Sequence, residues 1–248
     1  SVRSSIWRFD AEKWQMVLAH KTTISTQGLL KSAGEAFINA TQNGQQLRLR
    51  PGFSTIQFNA STYTQPMSFY IGQLDATNFD NVTWEQQTNV PNTMSNFTCS
   101  QDSVIGSIVF VDNSGTIPVC DTLYTFPLDS FGWINCDYVA NSGTYPATLA
   151  LQTQQGFDNK NTSIYLVFKN MNAVGQMTHY VDGQFISDAI HGNLNMPIGE
   201  PLTIVAIGYK DGKTYSAFKE TTLSANSTVS ITLTETTKAA YEAAVKNL

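Results

Sequence analysis

Along most of the chain, apolar and polar positions alternate in short runs. A period of two sends successive side chains to opposite faces of a strand. Ser5–Asp10 alternates in this way, and after the turn-like Asp10-Ala11-Glu12-Lys13 the apolar run Trp14–Leu18 pairs with it as a first hairpin. Thr22–Thr26 is β-branched and polar, as an edge strand would be. Gly28–Ala36 reads either way, as a strand or as a short helical turn weakened by two glycines. Gln46–Arg50 alternates strictly, with Leu47 and Leu49 facing the core, and Pro51-Gly52 stops it. Thr55–Phe58 and Met67–Gly72 continue the ladder. Asp75–Ser103 is polar and reads as a long loop with Trp84 isolated inside it. Val104–Val111 is the most apolar strand of the first half, and Leu123–Leu128 follows it.

The second half repeats the pattern after Ala140–Pro146, a linker by composition. Ala147–Leu151, Ser163–Phe168 and Gln184–Ile186 read as strands, and Asp182-Gly183 marks a tight hairpin. Pro201–Tyr209 and Thr214–Lys219 form the clearest hairpin, turned by Lys210-Asp211-Gly212-Lys213; Thr228–Leu233 is the last strand. The tail changes period: Thr236 or Thr237 caps a helix rich in alanine. The pattern predicts an all-β protein of two β-sandwich modules, Ig-like or transthyretin-like, with a short C-terminal helix. The modules span residues 1–139 and 140–248.

Between them lies Phe131-Gly132-Trp133-Ile134-Asn135-Cys136-Asp137-Tyr138. As a structural junction, this stretch ends one module and opens the next. Trp133 would be fully buried, Gly132 would allow a bend or a close backbone approach, and Asn135 and Asp137 would fix a turn by bonding nearby amides. Cys136 reads as a small buried hydrophobe; the acid beside it opposes the thiolate that a nucleophile needs.

Composition narrows the function classes. Charged residues make up only 13% of the 248 residues, about half the usual share, and Ser, Thr, Asn and Gln replace them. The net charge of −5 and the lack of a basic run argue against nucleic acid as a partner. No apolar stretch approaches the roughly 18 residues of a membrane-spanning helix. Cys99, Cys120 and Cys136 match no zinc spacing; Cys99 and Cys120 form a disulfide, or all three stay reduced. His20, His179 and His191 are scattered, and only the fold would bring His179 and His191 to one metal. Asp112–Gly115 and Asp158–Asn161 carry oxygen donors without the spacing of a calcium loop. No cofactor motif, nucleophile elbow or P-loop is present. The six Asn-x-Ser/Thr triplets are close to what this composition produces by itself. Trp84, among Asn81, Thr83, Glu85 and Gln86, is the candidate ligand contact, with an aromatic face suited to a sugar ring.

The segment Gly132-Trp133-Ile134-Asn135-Cys136-Asp137 resembles the GWINCD segment of uncharacterised surface lipoproteins of Bacteroidetes. Looser similarity extends over about residues 105–220, through Ile164–Phe168, Met196–Glu200 and Ile204–Lys213. The usual motif continues Asp-Arg-Phe, whereas this chain has Asp137-Tyr138-Val139. The resemblance implies export, a lipid anchor in the precursor and tandem β-sandwich modules, and it supplies no catalytic residues. The expectation is therefore a non-enzymatic protein of the cell surface, outer membrane or periplasm. It would act in adhesion, envelope assembly or carbohydrate binding, with a glycan or an envelope protein as partner. The membrane would be met only through an anchor outside this sequence. A carbohydrate-active or other hydrolytic enzyme with its site at the module interface is the alternative, and a structural spacer in an envelope complex is a third reading.

Overall fold

The structure, a computed structural model, describes residues 2–9, 12–59, 67–74, 82–88, 93–98, 119–140, 148–187 and 197–248. The predicted strand Val104–Val111, linker residues 141–146, Cys99, the Cys120 side chain, His191 and the Asp112–Gly115 turn lie outside the described part. The described residues are mostly strand, so the all-β expectation holds.

In chain order the first half contains β1 (Val2–Phe9), α1 (Lys13–Leu18), β2 (Ile24–Ser25), β3 (Gly28–Gln42), β4 (Gln45–Gln46) and β5 (Thr55–Asn59). β6 (Ser68–Leu74), β7 (Val82–Gln86), β8 (Thr93–Thr98), β9 (Val119–Pro127) and β10 (Gly132–Val139) follow. Five of these strands form a closed ring in the order β3-β10-β6-β7-β2, which β2 completes by pairing back to β3. The closing bonds are few: Ile24 and Ser25 face Leu29 and Gly28, and Ser25 meets Trp84 of β7 in parallel. A three-stranded sheet, β5-β9-β8, packs on the outside of the ring. Phe58, Tyr124 and Phe126 interlock there with Ala36, Phe69, Ile134 and Cys136.

Four readings of the sequence change or are settled here. The N-terminal half is built on a closed ring, because β3 is long enough to pair with β2 at its start, β10 in its middle and β1 at its end. Gly28–Ala36 is the start of that 15-residue strand, so neighbouring strands settle what local propensity left open. Trp14–Leu18 lies in α1 and not in a hairpin strand. Met16 and Val17 are buried against the C-terminal half, and a short apolar run suits either period. The supposed loop after Asp75 contains β7 and β8.

The second half contains β11 (Leu149–Thr153), β12 (Thr162–Phe168), β13 (Val174–Gln176), β14 (His179–Val181), β15 (Gln184–Ser187), β16 (Pro201–Lys210), β17 (Lys213–Thr222), β18 (Ser227–Ile231), β19 (Thr234–Thr236) and α2 (Lys238–Val245). One sheet runs β14-β15-β11-β18 and the other β13-β12-β16-β17-β19. Leu149, Leu151, Phe185 and Ile231 of the first share a core with Ile164, Leu166, Phe168, Leu202 and Ile204 of the second. Both predicted hairpin turns form. Asp182-Gly183 and Asp211-Gly212 all have positive φ, as a two-residue turn matched to strand twist requires. Thr237 caps α2, accepting a bond from the Ala240 amide at 3.2 Å.

The two halves are tied together. α1 packs with Tyr241 and Val245 of α2 on the outer face of the five-stranded sheet, against Tyr165, Val167 and Val205. The Thr23 amide donates to Val174 O at 2.8 Å, and the Ser32 amide donates to Asn172 O at 3.0 Å.

Candidate functional site

The GWINCD stretch is not a turn. It is β10, the strand between β3 and β6 in the closed ring. Alternation sends Ile134 and Cys136 to the outer core and Trp133, Asn135 and Asp137 into the ring. Leu30, Tyr70, Val82 and Trp84 line the same interior.

A bulge sharpens this arrangement. Asn135 lies opposite Glu35 and Asp137 opposite Ser32, so β3 spends three residues where β10 spends two. Gly34, at φ +146°, takes up the extra residue in a region that side chains rarely adopt. The bulge turns Ser32 and Glu35 inward together. Ser32, Glu35, Asn135 and Asp137 all have 0% exposure, and Lys21 has 5%.

These groups form one polar core. The Ser32 hydroxyl donates to Asn135 Oδ1 at 3.0 Å and is itself held by the Gly34 amide at 3.2 Å. Asn135 Nδ2 donates to Asp137 Oδ2 at 2.5 Å. Lys21 Nζ stands 5.0 Å from the centre of the Trp133 ring and interacts electrostatically with Glu35. Both Glu35 oxygens and Asp137 Oδ1 are buried without a hydrogen-bond partner among the described residues.

Burial dominates the titration of both acids. It pushes the Glu35 carboxyl up to about 8, against the pull of Lys21. It lifts Asp137 well above the usual carboxylate range; bonds from Ser32, the Ala33 amide and Asn135 oppose the rise, and the Glu35 charge adds to it. At neutral pH Glu35 therefore holds a proton that an exposed acid would have lost, and burial pushes Asp137 in the same direction.

The other candidates resolve individually. Trp84 has no exposed surface, and its indole N–H donates to Thr22 O at 2.7 Å, which leaves no face for a ligand. Trp133 is half-buried rather than fully buried, packed on Phe37 with ring centres 5.2 Å apart. Gly132 supplies a bend at φ +140°, but the close approach belongs to Gly72, where a Cβ would sit 2.6 Å from Trp133 Cβ and 2.5 Å from Val82. Asn135 and Asp137 bond inside the ring rather than fixing a turn. Cys136 is a buried free thiol, and burial, with the Asp137 charge second, pushes its pKa up.

His20 Nδ1 lies 2.6 Å from Tyr165 Oη, in a bond between the halves. Asp158–Asn161 satisfies its own donors and acceptors: the Asp158 amide donates to Asn161 Oδ1 and the Lys160 amide to Asp158 Oδ1. Among the described residues no three His, Cys, Asp or Glu side chains come together as a metal site.

Sequence reading missed Lys21, Ser32 and Glu35. Their one signal was a lone acid within the weakly polar stretch Gly28–Ala36, which becomes informative only once that stretch is a buried strand. Elsewhere, a shallow groove of about 540 Å³ runs between β17 and the segment from β18 to β19, lined by Ser216, Phe218, Lys219, Ser230, Thr232 and Thr234. Compared with protein-family models and with curated proteins, the chain matches none.

Proposed function

We propose that the chain is a non-enzymatic, exported protein of the cell surface or periplasm that acts by binding, in adhesion, envelope assembly or glycan recognition. In this reading residues 1–139, built on the closed ring, and residues 140–248, with two facing sheets, are tandem modules and the precursor carries a lipid anchor. The observation that carries the proposal is the contrast between the two concave places described above. The converging acids are sealed inside the ring, whereas the groove along β17 offers hydroxyls, one amine and the partly exposed ring of Phe218. Hydroxyl and aromatic groups on a neutral surface suit sugar rings, which bind through stacking and oriented hydrogen bonds. The composition, poor in charge and rich in Ser and Thr, supports the same reading.

A glycan array tests it. The native protein should bind a glycan class, and Phe218→Ala should lose at least about tenfold in affinity at unchanged Tm. An array without binding removes the glycan version and leaves adhesion or assembly through protein contacts. Protease treatment of intact cells should degrade the protein if it is surface-exposed; protection even after outer-membrane permeabilisation would overturn export. The hydrolase reading draws on the Glu35–Asp137 pair, and glycan cleavage that is lost in Glu35→Gln would favour it.

A further inference from the structure

The polar core of the ring contains every part needed to join two of its own side chains. A primary amide, Asn135, is held with its carbonyl oxygen on the Ser32 hydroxyl and its nitrogen on Asp137. The amine of Lys21 stands 5.0 Å from the centre of the Trp133 ring, two residues before Asn135 on the same face of β10, and interacts electrostatically with Glu35, which pairs with Asn135 across β3 and β10. We propose that Lys21 and Asn135 form an intramolecular isopeptide bond, with Glu35 as the base, Asp137 as the acid and Ser32 as the donor to the oxyanion.

The steps balance within these groups. In the molecules whose Glu35 is ionised, a share that grows as pH rises toward about 8, Lys21 Nζ gives its proton to that carboxylate, whose two oxygens have no hydrogen-bond partner among the described residues. The Nζ lone pair attacks Asn135 Cγ, and the carbonyl oxygen gains charge while bonded to Ser32 Oγ. Asp137, which burial pushes toward its protonated form and which Asn135 Nδ2 touches, donates a proton to Nδ2, the C–N bond breaks and ammonia leaves. The extra proton on Nζ returns to the Asp137 carboxylate. No oxidant or second substrate enters; one amine and one primary amide give one secondary amide and ammonia.

The bond would fasten the loop after α1 to the central strand of the ring. The ring closes weakly at that place, through the two-residue strand β2. An exported protein would gain resistance to unfolding and proteolysis.

Intact-mass spectrometry of the full chain, purified and incubated near neutral pH, decides the matter. The expected mass is about 17 Da, one ammonia, below the sequence value, with a branched peptide joining residues 21 and 135 after digestion. Lys21→Arg and Asp137→Asn should each restore the sequence mass less the substitution. An unmodified wild-type mass overturns the proposal whatever the variants do. So does a gain of about 1 Da from deamidation of Asn135, or a loss of about 18 Da, one water, mapped to Lys21 and Glu35.

Discussion

Glu35 shows most plainly how one residue sets a property of the molecule. Its carboxyl titrates near 8 in the folded chain against an ordinary value of 4.5. Between those values the folded state keeps a proton that the unfolded state has lost. Stability is therefore highest at the acid end of the window and falls as pH rises through it, by about 1.4 kcal/mol per pH unit for one proton. Asp137 shifts in the same direction and adds to the slope. Urea midpoints measured from about pH 5 to about pH 9 should fall, and Glu35→Gln should flatten much of that decline. A native midpoint that rises with pH would contradict the buried, protonated pair. The tryptophans divide on the same principle. Trp84 is fully enclosed with its N–H bonded, so Trp84→Ala should cost about 3–5 kcal/mol. Half-buried Trp133→Ala should cost clearly less, and equal losses in denaturant melts would mean that the ring interior is packed differently.

Among the elements, β10 and β3 set the geometry through a single bulge, and β6 accommodates them through a single missing Cβ. At Gly72 an added methyl would meet Val82 and Trp133 well inside van der Waals contact. Gly72→Ala should lose about 1–3 kcal/mol even though alanine suits a strand better than glycine does. Gly132→Ala has open space around its Cβ, so any cost there comes from φ +140° alone. A melt in which Gly72→Ala is neutral would show that β7 and β10 can separate freely. The C-terminal helix responds to a local change: Thr237→Ala removes the bond to the Ala240 amide and should cost about 1 kcal/mol, read as lower helix protection in amide exchange. Helix, cap and both Asp-Gly turns were legible in the sequence because each rests on near neighbours. The identity of α1 was not, because six residues with a short apolar run fit either period until a packing surface selects one.

At the scale of the whole molecule, α1 lies far from its packing partners in sequence and completes the apolar layer between the five-stranded sheet and α2. Residues 140–248 expressed alone would expose Tyr165, Val167 and Val205 where Met16 and Val17 normally sit. That fragment should melt below the corresponding transition of the full chain and bind a hydrophobic dye. A fragment as stable as the full chain would show that the halves are energetically independent. The same separation in sequence explains what reading the chain could reach. Alternation, turn residues and composition by themselves determined the β class, most strand positions, the terminal helix and a surface poor in charge, because these depend on residues a few positions apart. Only the tertiary structure decided that β3 closes a ring, that Trp84 lies inside it and that Asn135 and Asp137 meet Lys21, Ser32 and Glu35. Those pairings join residues about a hundred positions apart, as Ser32 and Asn135 are. They arise from strand order, register and one bulge, and no local pattern encodes which strand will lie beside which.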